Sequence, residues 1–157
     1  MPAAAAILAM PRASLDPREK PDRSPVTSAD MASEAVILEG LARLMPGVAV
    51  LSEEATGTRP VLPSGGRLFI VDPLDGTREF TEPGRNDWAV HVALWERDRG
   101  LTAGAVALPA IGLVLSTAEP PKVPPVDGRP WRVIVSRSRA PVVARRVAHE
   151  LDADVVY

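Results

Sequence analysis

The chain has 157 residues, enough for one domain with a usable core, and carries 18 basic against 20 acidic residues for a formal net charge of −2. That balance removes the electrostatic case for binding nucleic acid or an anionic membrane. The lack of cysteine excludes a disulfide framework and thiol chemistry, and it agrees with a cytoplasmic location.

Residues 1–10 form an Ala-rich stub before Pro11. It lacks a basic start and is too short to span a bilayer, so it reads as a frayed tail or a helix remnant rather than a signal. Residues 11–23 are polar and Pro-containing, and the whole of 1–23 is expected to be a mobile arm. An amphipathic helix is predicted over 29–45, with Ala32, Ala35, Val36, Leu38, Leu41, Ala42 and Met45 at helical spacing and Pro46-Gly47 as its stop. Val48, Ala49, Val50 and Leu51 then lead into Glu53-Glu54, and 56–66 is a turn-rich loop. Residues 67–71 are branched, aromatic and apolar, which predicts a buried strand ending at Asp72, because Pro73 has no N–H to continue a ladder.

Strands are predicted over 88–95, 101–108 and 113–118, joined by 96–100 and 109–112. They read as an antiparallel meander with small residues on one face, suited to helix packing, in a protein of the α+β class. The proline-dense stretch 119–130 is expected to be an extended linker. After it come a strand over 132–136, a helix over 141–151 with Val143, Val147 and Leu151 on one face, and a strand opening at 154. The predicted domains are therefore an arm (1–23), a main subdomain (24–118), a linker (119–130) and the start of a second α/β subdomain (131–157). Apolar edges left open in that last part point to aggregation or a homodimer.

The chemistry concentrates in Asp72-Pro73-Leu74-Asp75-Gly76-Thr77 with Glu53-Glu54 upstream. The turn imposed by Pro73 brings Asp72 and Asp75 close, with the Leu74 carbonyl between them. Hard oxygen donors of this kind suit Mg²⁺. A helix opening at Gly76-Thr77 would present free N–H groups to a phosphate, and the Thr77 hydroxyl would orient or deprotonate a water. The same letters also serve as a plain capped strand-to-helix turn. Glu53-Glu54 tips the balance toward a metal site. His91 and His149 have no second histidine or cysteine at ligand spacing, so neither reads as a zinc ligand. Trp88 and Trp95 read as packing residues. Arg137, Arg139, Arg145 and Arg146 fit either a second phosphate group or a solvated face.

Leu51-Ser52-Glu53-Glu54 and the run from Asp72 to Phe80 (DPLDGTREF) resemble the inositol monophosphatase superfamily, and within it the CysQ-type 3′(2′),5′-bisphosphate nucleotidases. Ser24 to Asp30, Asp87 to Trp95 and Ala105 to Pro109 resemble further segments of that family, in the same order. The resemblance implies a layered αβαβα sugar-phosphatase fold and a Mg²⁺-dependent, lithium-sensitive phosphomonoester hydrolase. Its substrate would be 3′-phosphoadenosine 5′-phosphate, a by-product of sulfate assimilation, attacked by metal-activated water. Glu53, Asp72, the Leu74 carbonyl and Asp75 would be metal ligands. Asp30 and Thr77 would activate the water, Asp30 directly or through a further water, with Glu54 behind the ligands as a third catalytic-site group. Glu53, Asp75, Gly76 and Thr77 would meet the substrate, the last two through main-chain N–H groups. Asp30 also stands three residues after Thr27, so the pair can be a capping box, and the two roles are compatible. Ser136-Arg137-Ser138 resembles a segment near the family's subdomain junction and is a weaker candidate for substrate contact.

The family's later W-D-x-x-A segment, whose aspartate completes the second metal site, does not occur in these 157 residues. A gene fragment, a mis-called reading frame and a shortened paralog all fit that departure. The alternatives are therefore an inositol-phosphate or fructose-1,6-bisphosphate phosphatase with the same metal core, and a non-catalytic remnant that binds metal weakly.

Overall fold

The computed structural model describes residues 7–9, 18–19, 25–55, 66–123, 125, 128–136 and 140–157. It divides into two compact units, Met1–Pro121 and Lys122–Tyr157.

The first unit begins with Ile7, in a helical turn and wholly buried in the core. The helical turn here agrees with a helix remnant, and the large aliphatic side chain of Ile7 holds it against apolar neighbours. Strands β1 (Arg18–Glu19) and β2 (Pro25–Val26) pair antiparallel, so residues 18–19 form a short ladder where a loop was predicted. The rest of the predicted arm, and nearly all of the 56–66 loop, lie outside the described residues.

Helix α1 spans Ser28–Leu44. Thr27 caps it, accepting from the Ala29 N–H (3.1 Å), while Asp30 accepts from the Thr27 N–H (2.7 Å), completing a capping box. The buried face differs from the predicted apolar stripe. Ala29, Asp30, Ser33 and Ile37 are buried, whereas Ala35 and Ala42 face solvent. Periodicity counts apolar letters only, and two of the four buried positions are polar, so the stripe came out rotated.

Five strands form one sheet in the order β3 (Ala49–Ser52), β4 (Arg67–Asp75), β5 (Ala89–Glu96), β6 (Gly100–Leu108), β7 (Leu113–Ser116). The β3–β4 pair is parallel and the rest are antiparallel, so the predicted three-stranded meander is extended by β4 and, at the edge, by β3. Phe69, Val71, Val90 and Ala107 line the core together with Ala29 and Ile37 of α1. Helix α2 (Thr77–Thr81) adds Phe80, whose ring meets Trp88 edge-on at 4.9 Å and 73°. An aromatic pair in that geometry contributes about 0.5–1.5 kcal/mol beyond its buried area. Arg85 ties the connection after α2 by pairing with Glu79, Glu82 and Asp87.

Strand β4 does not end at Asp72. It runs through Pro73 to Asp75 across a bulge. Asp72 pairs with His91 and Asp75 with Ala89, so Pro73 and Leu74 together oppose Val90 alone. A bulge is one of the few places where a sheet tolerates a residue without an N–H.

The second unit carries β8 (Arg132–Ile134), α3 (Val142–Glu150) and β9 (Asp154–Val156), with β8 and β9 paired in parallel. The predicted inner face of its helix is exposed: Val143 is 61% accessible, Val147 43% and Leu151 53%, and Ala148 is buried instead. Among the described residues two short strands stand beside α3, which leaves little sheet to bury a stripe against. Arg145 and Arg146 also face solvent, while Arg137, Ser138 and Arg139 lie outside the described residues. Among the described residues, no helix is long and apolar enough to cross a membrane.

Candidate metal and phosphate site

The site gathers at the C-terminal end of β4. Its geometry follows from the bulge. Successive strand residues alternate faces, so Asp72 and Asp75, three apart, would ordinarily point to opposite sides of the sheet. The extra residue restores the parity. Asp72 shares a face with its partner His91, and Asp75 shares that face with Ala89, two residues before His91. Glu53 joins them because its N–H donates to the Val71 carbonyl (3.0 Å), carrying β3 one residue past its ladder to the level of Asp72.

Electrostatics follow from that gathering. The Asp72 carboxyl is pushed up from 3.8 to about 7. Burial is the largest cause, followed by the charges of Glu53 and Asp75 and a side-chain hydrogen bond with Glu53, against a lowering by the Leu74 N–H. That last contact closes a turn of its own: the Leu74 N–H donates to Asp72 Oδ1 (3.1 Å). Among the described residues, no three His, Cys, Asp or Glu side chains already stand at metal-ligand spacing. The donor set nevertheless fits a hard divalent cation, since a buried carboxylate crowded by two others is relieved by positive charge.

The other half of the site lies on the α1 side. Asp30 is 1% exposed. Its Oδ2 takes the Thr27 N–H and hydroxyl (2.7 Å each), and its Oδ1 takes the Thr77 hydroxyl (3.0 Å). The capping reading and the contact with Thr77 therefore both hold, one on each oxygen. Thr77 Oγ1 also lies 3.1 Å from the Leu74 carbonyl oxygen. Gly76 precedes it with φ +83°, a backbone that L side chains rarely adopt. A Cβ there would stand 3.2 Å from the Asp87 carbonyl oxygen and 3.3 Å from Trp88 Cα. Glycine is thus required both by conformation and by the close approach of the segment leading into β5.

Ser33 is not singled out from sequence, and His91 is weighed there only as a zinc ligand. Ser33 is wholly buried, and its hydroxyl donates to the Pro73 carbonyl (2.7 Å), pinning the bulge to α1. Its one sequence signal is its position three residues after Asp30, on the same helical face. His91 places Nε2 3.2 Å from Asp75 Oδ2. Nothing in a lone histidine on a strand announces that register. Glu54 is partly buried beside Glu53.

The sequence model of the inositol monophosphatase family matches residues 3–123. The chain is 44% identical over 133 residues to a 3′-phosphoadenosine 5′-phosphate phosphatase of Mycobacterium bovis, an overlap of 78% of this chain and 48% of that protein. It is 36% identical over 148 residues to the 3′(2′),5′-bisphosphate nucleotidase CysQ of Escherichia coli, covering 87% of this chain and 59% of that one. In structure it matches CysQ from Bacteroides thetaiotaomicron with a TM-score of 0.71 at 23% identity, over 98% of this chain and 67% of that one, a likeness of fold. The chain spans about half the length of the curated relatives it matches.

Proposed function

We propose that this chain, which belongs to the inositol monophosphatase family, carries the cation- and phosphate-holding part of a Mg²⁺-dependent phosphomonoester hydrolase acting on 3′-phosphoadenosine 5′-phosphate. The observation that carries the reading is the junction of two arrangements at one turn. The Asp30–Thr77 hydrogen bond (3.0 Å) lies on one side, and on the other are Glu53, Asp72 and Asp75, where burial first and the neighbouring charges second lift the Asp72 carboxyl to about 7. What supports this substrate is the likeness to the 44%-identical 3′-phosphoadenosine 5′-phosphate phosphatase and the 36%-identical 3′(2′),5′-bisphosphate nucleotidase. A cytoplasmic location belongs to the same proposal.

Glu53, Asp72, Asp75 and the Leu74 carbonyl would hold Mg²⁺, which when bound supplies positive charge for the phosphoryl oxygens and makes a water easier to deprotonate. The carbonyl has a second lone pair beyond the one facing Thr77. The remaining steps fall to the chain itself. The Thr77 hydroxyl donates to Asp30, which leaves its oxygen as an acceptor for a proton of the attacking water. Asp30, buried and already holding two donors from Thr27, is kept in one orientation for that relay. The N–H groups of Gly76 and Thr77, at the start of α2 and without intrahelical acceptors, hold phosphate oxygens. Glu54 stands behind Glu53 as a supporting carboxylate. Attack forms a new P–O bond as the ester P–O bond breaks; the water's proton passes through Thr77 to Asp30, and the departing alkoxide oxygen takes up a proton from bulk water.

The test is phosphate release from 3′-phosphoadenosine 5′-phosphate by the purified chain, with and without Mg²⁺, beside Asp72→Asn. Mg²⁺-dependent release that Asp72→Asn abolishes is the expected result. A folded chain that releases no phosphate rejects the hydrolase in favour of a metal-binding remnant.

A further inference from the structure

We propose that His91 is a positioning residue for this site: its imidazole holds the Asp75 carboxylate on the same face of the sheet as Asp72, so that both face one divalent cation. The inference rests on the cation-binding reading above and assigns a residue to it. Asp75 needs such a hold. It is the last residue of β4, beyond the bulge, and its side chain is 61% exposed. A carboxylate so placed samples several rotamers, and fixing it at the moment of chelation costs conformational entropy. His91 has the opposite character. It sits within β5, which is paired on both sides, opposite Asp72 on β4 and Val106 on β6, so its backbone is among the more firmly held in the unit. A carboxylate only accepts, so the Nε2–H donates to Asp75 Oδ2 (3.2 Å). One carboxylate oxygen is engaged by the ring, and the second is the one a cation would take. The row Asp72, His91, Val106, Leu115 crosses the sheet, and beyond His91 opens an apolar hollow of about 330 Å³ lined in part by Val106, Leu115 and Pro120. Those neighbours are apolar, so the charged partners open to the imidazole lie on β4: Asp72 directly opposite, and Asp75, whose Oδ2 the ring meets at 3.2 Å.

The test is Mn²⁺ binding by the full 157-residue chain, read from the electron paramagnetic resonance signal of free Mn²⁺, with folding checked by thermal unfolding in chelator. His91→Leu removes the donor, while His91→Gln keeps an N–H near the same place. Groups that orient a ligand typically contribute 10–100-fold in metal affinity, so His91→Leu is expected to weaken Mn²⁺ binding by about that factor. His91→Gln recovers most of the loss. In an Asp75→Ala background His91→Leu adds nothing, because its effect runs through Asp75. Unchanged affinity in His91→Leu, failure of Gln to rescue, or an equal loss without Asp75 would each overturn the assignment. A wild-type chain that does not bind Mn²⁺, or an Asp72→Asn chain that binds it as tightly, sinks the cation-binding reading itself and His91's role with it.

Discussion

Asp72 concentrates the physics of this protein in one proton. Its carboxyl holds that proton to about pH 7 in the folded chain, against an ordinary value of 3.8. The folded state therefore binds a proton that the unfolded state has released, so this contribution to stability is complete below about pH 4 and is lost as pH rises through about 7. In chelator, the urea midpoint is expected to fall across that window, and Asp72→Asn should flatten the fall. A midpoint that climbs from pH 4 to 7 would contradict the assignment. Ser33 carries a second residue-scale prediction. Ser33→Ala leaves the Pro73 carbonyl buried without its donor, a loss of about 1–3 kcal/mol. Denaturant titration showing no change would mean that the bulge needs no anchor on α1.

At the scale of elements, one extra residue in β4 does what no single side chain does: it turns Asp75 onto the face of Asp72. Gly76 then lets the chain pass from the sheet into α2 at φ +83° against the backbone of Asp87 and Trp88. Gly76→Ala should cost about 2 kcal/mol or more, from the left-handed conformation alone plus the crowding at 3.2 Å. Equilibrium unfolding checks it, and a loss under half a kilocalorie would show that the turn relaxes freely. Helix α1 illustrates a different lesson. Its capping box was legible as Thr27 followed three residues later by Asp30, since capping is a local interaction. Its buried face was not, because Asp30 and Ser33 go inside to meet partners more than thirty residues away.

Across the whole molecule, the units differ in how much they bury. The first holds Phe69, Val71, Phe80, Trp88 and Val90 almost out of solvent, whereas among the described residues of the second only Ala148 is buried. Local stability follows buried contacts. Amide exchange measured by mass spectrometry should therefore be slow in β4 and β5 and faster by orders of magnitude in β8, α3 and β9. Equal protection in both units would contradict that ordering.

Sequence alone was sufficient for the elements whose causes are local. Branched apolar runs gave the strands of the meander, Pro46-Gly47 ended α1, and the spacing of DPLDGT from Glu53-Glu54 pointed to a cation and a phosphate before any contact was known. Tertiary structure decided what depends on register and on distant partners. Proline forbids a ladder bond, so the sequence predicts that β4 stops at Asp72; only its pairing with β5 shows a bulge that absorbs Pro73. Ser33 and His91 carry no distinguishing pattern in the chain. They gain meaning only when folding places them within hydrogen-bond reach of Pro73 and Asp75, forty and sixteen residues away. Local propensity is written residue by residue, whereas a contact across a sheet depends on where two strands align.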